Sequence, residues 1–458
     1  MTKNNKVFMQ TGALVLSLLA TSVMAKVSPQ DAEKLGTTLT PLGAEKAGNA
    51  DGSIPAWTGG LPTNAGTVDA KGFLSDPFAD EKPLFTITAQ NAAQYKDKLS
   101  AGQLAMFQRY PQTYKIPVYK THRSVAVPAD IYAAAKVSAL NTEGIDGGNG
   151  LSGFNESHYY AFPQPKSGVE VVWNHTTRYR GGNTKRLMTR VQPQADGAFS
   201  MIQFEDEVSY PSALADQDKG KADNILFYFI QRVTAPARLA GNVLLVHETI
   251  DQVKEPRMAW VYSAGQRRVR RAPQVAYDGP ATAADGLATS DNYDMFNGAP
   301  DRYDWKLVGK KEMYIPYNSY KLDSPNLKYA DILKAGHINQ DLTRYELHRV
   351  WEVVATLKPT ERHIYATRHM YFDEDSWELA EVDHYDGRGA LWRVGEGHIQ
   401  QYYHKQVPGY TAETLYDLVA GRYSVVGLKN EEKRSIEFGF QSLAANYTPA
   451  ALRQAGVR

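Results

Sequence analysis

Cysteine is missing from this chain of 458 residues. Its absence excludes disulfides, thiol catalysis, cysteine-ligated metal sites and the lipidated cysteine of a lipoprotein. An excess of either charge is missing as well, because 51 lysines and arginines are balanced by 50 aspartates and glutamates. That balance gives no sign of a nucleic-acid partner. Because disulfides are excluded, stability must come from a packed core, for which 43% hydrophobic residues and 28 tyrosines provide the material.

The sequence also lacks an apolar run of the roughly 20 residues that a membrane-spanning helix needs. The apolar stretch from Val7 to Leu19 is shorter, follows two lysines and precedes the small-residue pattern Val23-Met24-Ala25. These features are typical of a cleaved signal peptide, which we place at residues 1–25. We therefore expect an exported protein that is not lipidated, with a retained N-terminal anchor as the alternative.

Two common catalytic motifs, G-x-S-x-G of hydrolases and H-E-x-x-H of metalloproteases, do not occur in the sequence. The segment GNGLSG, residues 148–153, has the letters of the dinucleotide-binding G-x-G-x-x-G. It follows a predicted helix, however, and the motif requires a preceding strand and a following helix. We interpret it as a loop and predict no cofactor, no metal site and no catalytic residues.

The pattern of the chain changes twice along its length. Residues 26–80 are rich in Gly, Pro, Asn and Asp and predict an extended arm, and helices are predicted at 89–99, 101–109 and 129–140. From Val169 onward, roughly a dozen strands follow one another, beginning with VEVVWNHT, with one helix inserted at 328–335. Consecutive strands with tight turns favour a mainly β fold, an antiparallel barrel or a strongly curved sheet. The predicted division is a signal peptide at 1–25, an N-terminal arm and helices at 26–150, and a barrel-like domain at 151–458.

An acidic segment, Phe372 to Gly389, is a candidate for catalysis or calcium binding. Strand alternation, however, sends its carboxylates to opposite faces of a predicted hairpin. We therefore interpret the segment as a solvated edge and not as a catalytic pair. The acids are Asp373, Glu374, Asp375, Glu378, Glu381, Asp383 and Asp386.

A predicted hairpin over residues 257–273 carries four arginines, Arg267, Arg268, Arg270 and Arg271, on its second strand. On the first strand, Trp260 and Tyr262 share one face. Four arginines on so short a strand require acids or an anionic ligand. Two alternatives remain open: a salt-bridged ladder against neighbours such as Glu205 to Glu207, or an anionic or polar head group held at the mouth of an apolar barrel.

Near the start of the predicted arm, GNADGSIPAWTGG places a tryptophan between glycine turns. Asp51 with Gly52 predicts one turn, and Pro55 keeps the residue before it extended. The segment can therefore cross the body as a short rigid strap, with Trp57 as its anchor.

Several stretches resemble a Gram-negative periplasmic family that is catalogued as a domain of unknown function and often named outer membrane lipoprotein-sorting protein. They are LTPLGAEKAGNADGSIPAWTGG at 39–60, EVVWNHTTRYRGG at 170–182, WVYSAGQRRVRRAP at 260–273, GKKEMYIPYNSYKL at 309–322 and VWEVVATLK at 350–358. The resemblance implies a fold similar to the periplasmic lipoprotein carrier and its outer-membrane receptor. In that fold, a half-open antiparallel barrel encloses an apolar cavity, with helices as a lid. It also implies a periplasmic location, an inner-membrane exporter of the resistance-nodulation-division class as a partner, and an outer-membrane barrel protein as another.

The hypothesis that follows is a non-enzymatic periplasmic carrier or chaperone for a lipid or another hydrophobic molecule. The candidate apolar wall consists of Trp173, Trp260, Tyr262 and Trp351, and the four arginines are candidates for head-group contact. Two alternatives remain: a scaffold subunit of a trans-envelope transport complex, and a periplasmic hydrolase that uses the clustered carboxylates.

Overall fold

The computed structural model describes residues 26–216, 224–272, 275 and 277–456, and the predicted signal peptide lies outside them. Strands dominate this part of the chain. The strands are β1 (Phe85–Ile87), β2 (Ile116–Val118), β3 (Glu143–Ile145), β4 (Gly150–Ser152), β5 (Thr184–Val191), β6 (Met201–Ser209), β7 (Ile225–Ala235), β8 (Val243–Thr249), β9 (Met258–Ser263), β10 (Arg268–Arg271), β11 (Tyr303–Pro316), β12 (Tyr345–Leu357), β13 (Thr367–Asp373), β14 (Leu379–Tyr385), β15 (Leu391–Tyr402), β16 (Val407–Asp417), β17 (Arg422–Leu428) and β18 (Glu437–Phe438). The helices are α1 (Pro29–Ala32), α2 (Ala101–Arg109), α3 (Ala129–Asn141), α4 (Gly168–Thr177), α5 (Tyr329–Ile332) and α6 (Ala451–Gly456).

Sixteen of these strands form one sheet, in the order β1-β2-β12-β13-β14-β15-β16-β17-β5-β6-β7-β8-β9-β10. Strand β11 also pairs with β12, and β18 pairs with β5. The pairings are antiparallel apart from one parallel contact between β2 and β12. In the described chain β10 ends the sheet on one side, so the sheet stays open. The prediction of a mainly β, half-open curved sheet is confirmed.

Both faces of the sheet are covered. On the inner face, α4 and the residues after β10 pack against apolar side chains of β7, β8, β12 and β13. On the opposite face, α2 and α5 cover β12 and β15–β17, and α6 covers β8 and β9. None of the helices in the described ranges combines the length and apolar character needed to span a membrane.

The predicted helices at 101–109 and 129–140 are confirmed almost to the residue. Ser100 begins α2 with a capping box, in which its hydroxyl accepts from the Gln103 N–H and the Gln103 side chain accepts in return. The predicted helix at 89–99 is a 3-10 helix over Ala92–Lys98, and only Tyr329–Ile332 of the predicted 328–335 helix is helical.

The first predicted strand, VEVVWNHT, is wrong, because these residues form helix α4. The Ser167 side chain caps the helix by accepting from Glu170 N, and all ten residues of α4 are buried. The β-branched valines of this stretch favour a strand locally, and the buried surroundings of the helix override that preference.

The N-terminal arm follows the sheet in a largely irregular conformation, as its composition predicts. Polar contacts attach it to the sheet and its connections, including the following. The Trp377 indole donates to Leu42 O at 2.9 Å, Arg349 donates to Ala47 O at 3.0 Å, and Arg123 donates to Glu45 O at 2.7 Å.

Candidate functional site

An apolar cavity of about 280 Å³ lies on the inner face of the sheet, near its β10 edge. Alternate residues of three adjacent strands form its floor, because side chains two apart share a face. The floor consists of Phe227, Phe229 and Gln231 of β7, Leu244 and Val246 of β8, and Val261 of β9, with Arg190 of β5 at one end.

The cavity is covered by residues 277–297, which we call the cover. Its first part is a narrow loop, closed by hydrogen bonds from Ala281 N to Ala288 O at 3.1 Å and from Ser290 N to Gly279 O at 2.7 Å. Its second part is anchored by a buried ion pair and by an aromatic contact. Asp291 pairs with Arg368 at 2.5 Å, and Tyr293 packs on Phe229 with ring centroids 4.7 Å apart. A largely irregular segment with one short 3-10 helix, Ser290–Asn292, and not an α-helix, therefore closes this cavity.

Most polar groups at the cavity are satisfied by the protein itself. Glu248 accepts from Arg257 Nε at 3.0 Å and from Asn297 Nδ2 at 3.0 Å. Gln231 donates to Asp206 at 3.1 Å. No Asp, Glu or His occurs among the described residues that line the cavity. The lining suits desolvation of an apolar group and lacks convergent acids for hydrolysis.

A smaller and more polar pocket of about 70 Å³ adjoins the cavity at Tyr293. Asp294 bridges Arg178 at 2.6 Å and Arg180 at 2.7 Å, and Arg178 also pairs with Glu378 at 2.8 Å. Burial raises the pKa of Asp294, but the two arginines outweigh it and the net shift is well below the ordinary range. For Glu378, burial dominates and raises the pKa. The cluster joins the end of the cover to the connection between α4 and β5 and to the β13–β14 turn.

The four predicted wall residues lie in three separate places. Trp260 and Tyr262 face away from the cavity and pack with α6 on the opposite face of the sheet. Trp173 is buried in α4, where its indole donates to Gly148 O at 2.8 Å. Trp351 is half-buried and stacks on Trp377 at 6.1 Å. None of the four lines the 280 Å³ cavity.

The four predicted head-group arginines are exposed around β10, the last strand of the sheet. Arg270 lies opposite Val261, and Arg268 lies opposite Ser263, so both belong to the face that carries the cavity. Arg271 lies opposite Trp260 and stands 5.8 Å from its ring. The alternative of a ladder against Glu205 to Glu207 is wrong, because Glu205 pairs with Arg232 and Arg434, and Glu207 with Lys185 and Arg232.

In the strap, the turn at Asp51 is closed by the Ser53 N–H, which donates to its carboxylate at 2.9 Å. Trp57 donates its indole N–H to Val125 O at 3.0 Å and is half-buried, whereas Ile54 is 1% exposed. Pro55 is exposed, and its carbonyl accepts from Arg123. The strap lies away from the cavity, and Ile54 is more deeply buried than Trp57.

The acidic segment is not a solvated edge. All of its acids except Asp386 are buried, because β14 lies inside the sheet and the arm and α2 cover its ends. His348, Asp373 and Asp375 each offer a ligand atom within 4.8 Å of the others. Arg123, however, donates to both oxygens of Asp375, at 2.9 and 2.6 Å. A guanidinium already fills the place of a cation there, so we assign the group to an ion-pair network that holds the arm.

A second cluster of buried acidic side chains lies where α2 meets the sheet. Glu381 and Glu396 are direct cross-strand partners, and Ser100 donates to Glu381 at 2.6 Å and to Asp383 at 3.2 Å. Burial raises the pKa of Glu396 to about 7 and that of Asp383 to about 7. Burial also raises the pKa of Glu381, well above its ordinary value. All three acids lie outside the cavity.

The residues of the cavity floor could not be identified from the sequence. The signal was present in NILFYFIQRV and NVLLVHETI, which both predict strands, but alternation alone does not tell which face of a strand meets empty space. Arg190 was missed as well, since an arginine is usually exposed and nothing in KRLMTRV marks this one as buried.

The family model described as Protein of unknown function (DUF1329) matches residues 86–453. The uncharacterized protein PA3922 of Pseudomonas aeruginosa is 67% identical over 456 residues, which cover 100% of each chain. Among solved structures, a domain named for outer membrane lipoprotein sorting, from Vibrio parahaemolyticus, is similar at 13% identity with a TM-score of 0.42, over 62% of this chain and 98% of that one. A DUF1329 family protein from Desulfovibrio piger is similar at 13% identity and a TM-score of 0.42, over 62% and 96% of the two chains. The family match and the Pseudomonas relative confirm the resemblance of the motifs: this chain belongs to the DUF1329 family.

Proposed function

We propose that this protein is a periplasmic carrier or chaperone that takes one hydrophobic ligand of the lipid class into the cavity beneath the cover. The observation that carries the proposal is the cavity itself. Its floor is apolar, it is closed by protein on two sides, and its volume of about 280 Å³ is near the lower end of the roughly 300–1,000 Å³ typical of ligand sites.

Binding would be driven by desolvation. Each methylene moved from water into the cavity contributes about 0.8 kcal/mol, so a chain of about ten methylenes gains roughly 8 kcal/mol before the costs of association. No directional chemistry is required. The absence of acids from the described lining favours a carrier over a hydrolase.

The open edge of the sheet supplies a route to the cavity. Val261 lines the cavity and is 37% exposed, so it stands at the mouth. The exposed arginines around β10 lie beside it, where they would face an anionic membrane surface or a head group. We further propose that the protein works between an inner-membrane exporter of the resistance-nodulation-division class and an outer-membrane barrel protein.

A fluorescent apolar probe that brightens out of water tests the proposal. The purified protein should bind one probe, and Val261→Trp, which fills the mouth, should weaken binding at least ten-fold. Val419→Trp serves as the matched control, because Val419 is 77% exposed and lies outside the cavity. Equal binding by both variants, or none by the wild type, would contradict the proposal. A stable protein that binds no probe would point to the scaffold.

A further inference from the structure

Arg190 differs from the other polar residues of the cavity. It lies on β5 at one end of the cavity and is only 7% exposed. Its Nη1 donates to the carbonyl oxygen of Thr282 in the cover at 2.6 Å. Its Nε is buried and has no hydrogen-bond partner among the described residues.

No carboxylate pairs with Arg190 within 4 Å in the described ranges, although two acids lie in its surroundings. Asp206 is engaged with Arg186 at 3.3 Å and with Gln231. Glu413 accepts from Met295 N at 2.7 Å. Arg257, the other arginine of the cavity, pairs with Glu248 at 2.6 Å.

The cost of this arrangement is electrostatic. Burial lowers the pKa of Arg190, with Glu413 and Asp206 acting in the opposite direction and Arg186 adding to the decrease. A guanidinium stays protonated in a protein, so the site retains a positive charge that is taken out of water and left without a direct counter-ion. Such a group is stabilised when an anion reaches it.

We propose that the occupant of the cavity is an anionic amphiphile, whose carboxylate pairs with Arg190 while its apolar chain lies against Phe227, Phe229 and Val246. This inference rests on the proposed function and names its ligand class. An arginine Nε–H and the neighbouring Nη–H form a fork that matches the two oxygens of a carboxylate.

The distribution of polarity along the cavity supports the same orientation. Arg190 and Gln231 lie toward β5 and β6. Arg257 lies just before β9, but its charge is already balanced by Glu248, so the β9 side offers no unpaired cation among the described lining residues. Asn297 keeps a buried Oδ1 without a partner in the described chain, which could accept from a ligand hydroxyl but does not select for charge. One unpaired cation matches one negative charge.

Three ligands of one chain length separate charge from apolar burial: dodecanoate, dodecanol and dodecylammonium. The wild type should bind dodecanoate about ten-fold or more tightly than dodecanol, and dodecylammonium most weakly. Arg190→Gln should remove the preference for dodecanoate over dodecanol. Arg388→Gln, a change at an exposed arginine on the β14–β15 turn, should keep it.

The possible results separate the two proposals. If dodecanoate and dodecanol bind equally to the wild type, the inference fails and the apolar carrier stands. If neither binds, both fail. A preference that survives Arg190→Gln but is lost in Arg270→Gln would place the anion at the mouth and overturn the inference. Should Arg190→Gln not fold, Arg190→Lys and the ranking of the three ligands by the wild type still decide the question.

Discussion

The guanidinium of Arg123 donates to both carboxylate oxygens of Asp375, at 2.9 and 2.6 Å, and both side chains are 2% exposed. Arg123 follows β2, Asp375 lies in the β13–β14 turn, and the same guanidinium donates to Glu45 O in the arm. One cation therefore joins three segments that are distant in the sequence.

Replacing that cation tests whether it holds the arm. Arg123→Met leaves Asp375 buried and unpaired, so the free energy of unfolding should fall by about 3–5 kcal/mol in urea denaturation. The arm should also become accessible to limited proteolysis. Lys136→Met, which breaks the exposed pair with Glu33, should cost less than about 1 kcal/mol. Equal small losses in the two variants would show that the network is unimportant.

The buried acids beside α2 predict a dependence of stability on pH. The pKa of Glu396 is raised to about 7 from an ordinary value of 4.5, chiefly by burial. A raised carboxyl pKa stabilises the fold fully below about 4.5, and this contribution is lost as the pH rises through about 7. Tyr114 and Tyr345 donate to Glu396, and Glu381 and Asp383 are the acids nearby.

Glu396→Gln measures that contribution. It should flatten the decrease in unfolding free energy between about pH 4.5 and 7 by up to about 1.4 kcal/mol per pH unit. Glu33→Gln, an exposed site, should keep the wild-type slope. An unchanged slope in Glu396→Gln would mean that Glu396 is ionised throughout this range.

The close approach of α2 to β14 depends on a glycine. A Cβ on Gly102 would lie 2.0 Å from Asp383 Oδ1 and 2.6 Å from Val394 Cγ1. We expect Gly102→Ala to lower the melting temperature and to destabilise by about 1–3 kcal/mol. Gly265→Ala is the control, since its Cβ would meet nothing within 4 Å, and it should leave stability unchanged. A neutral Gly102→Ala would mean that α2 does not dock on Asp383 as described.

The exposed arginines predict binding to anionic membranes. Because each arginine near such a surface contributes about 1 kcal/mol, changing Arg267, Arg268, Arg270 and Arg271 together to glutamine should sharply reduce sedimentation with anionic vesicles. Binding to zwitterionic vesicles should be weak and unchanged. Equal sedimentation of the wild type and the variant with anionic vesicles would show that these arginines do not contribute to membrane binding.

The sequence predicted the open β sheet well, because turns and alternation recur from β5 to β15. It wrongly predicted a strand at α4. It gave no prediction of a strand at β16 or β17, whose residues after Val407 include a glycine and several polar residues on buried faces. Periodicity is informative only where one face of an element meets water. Elements buried all round lose that signal.

The prediction that the acidic segment is a solvated edge failed for a related reason. Local alternation treats a strand such as β14 as if its neighbours were unknown, and Glu381 then looks solvated. Its burial depends on β13, β15 and α2, which are set by long-range pairing. The prediction that Trp260 and Tyr262 share one face of their strand is correct, but the sequence does not show that α6 covers that face.

Native mass spectrometry of the protein purified from the periplasm without detergent tests the central claim most directly. We expect a one-to-one complex with a small hydrophobic molecule, which is absent from Val261→Trp and present in Val419→Trp. Solvent extraction would then identify the ligand. A mass of the protein alone, unchanged after incubation with envelope lipids, would contradict the account.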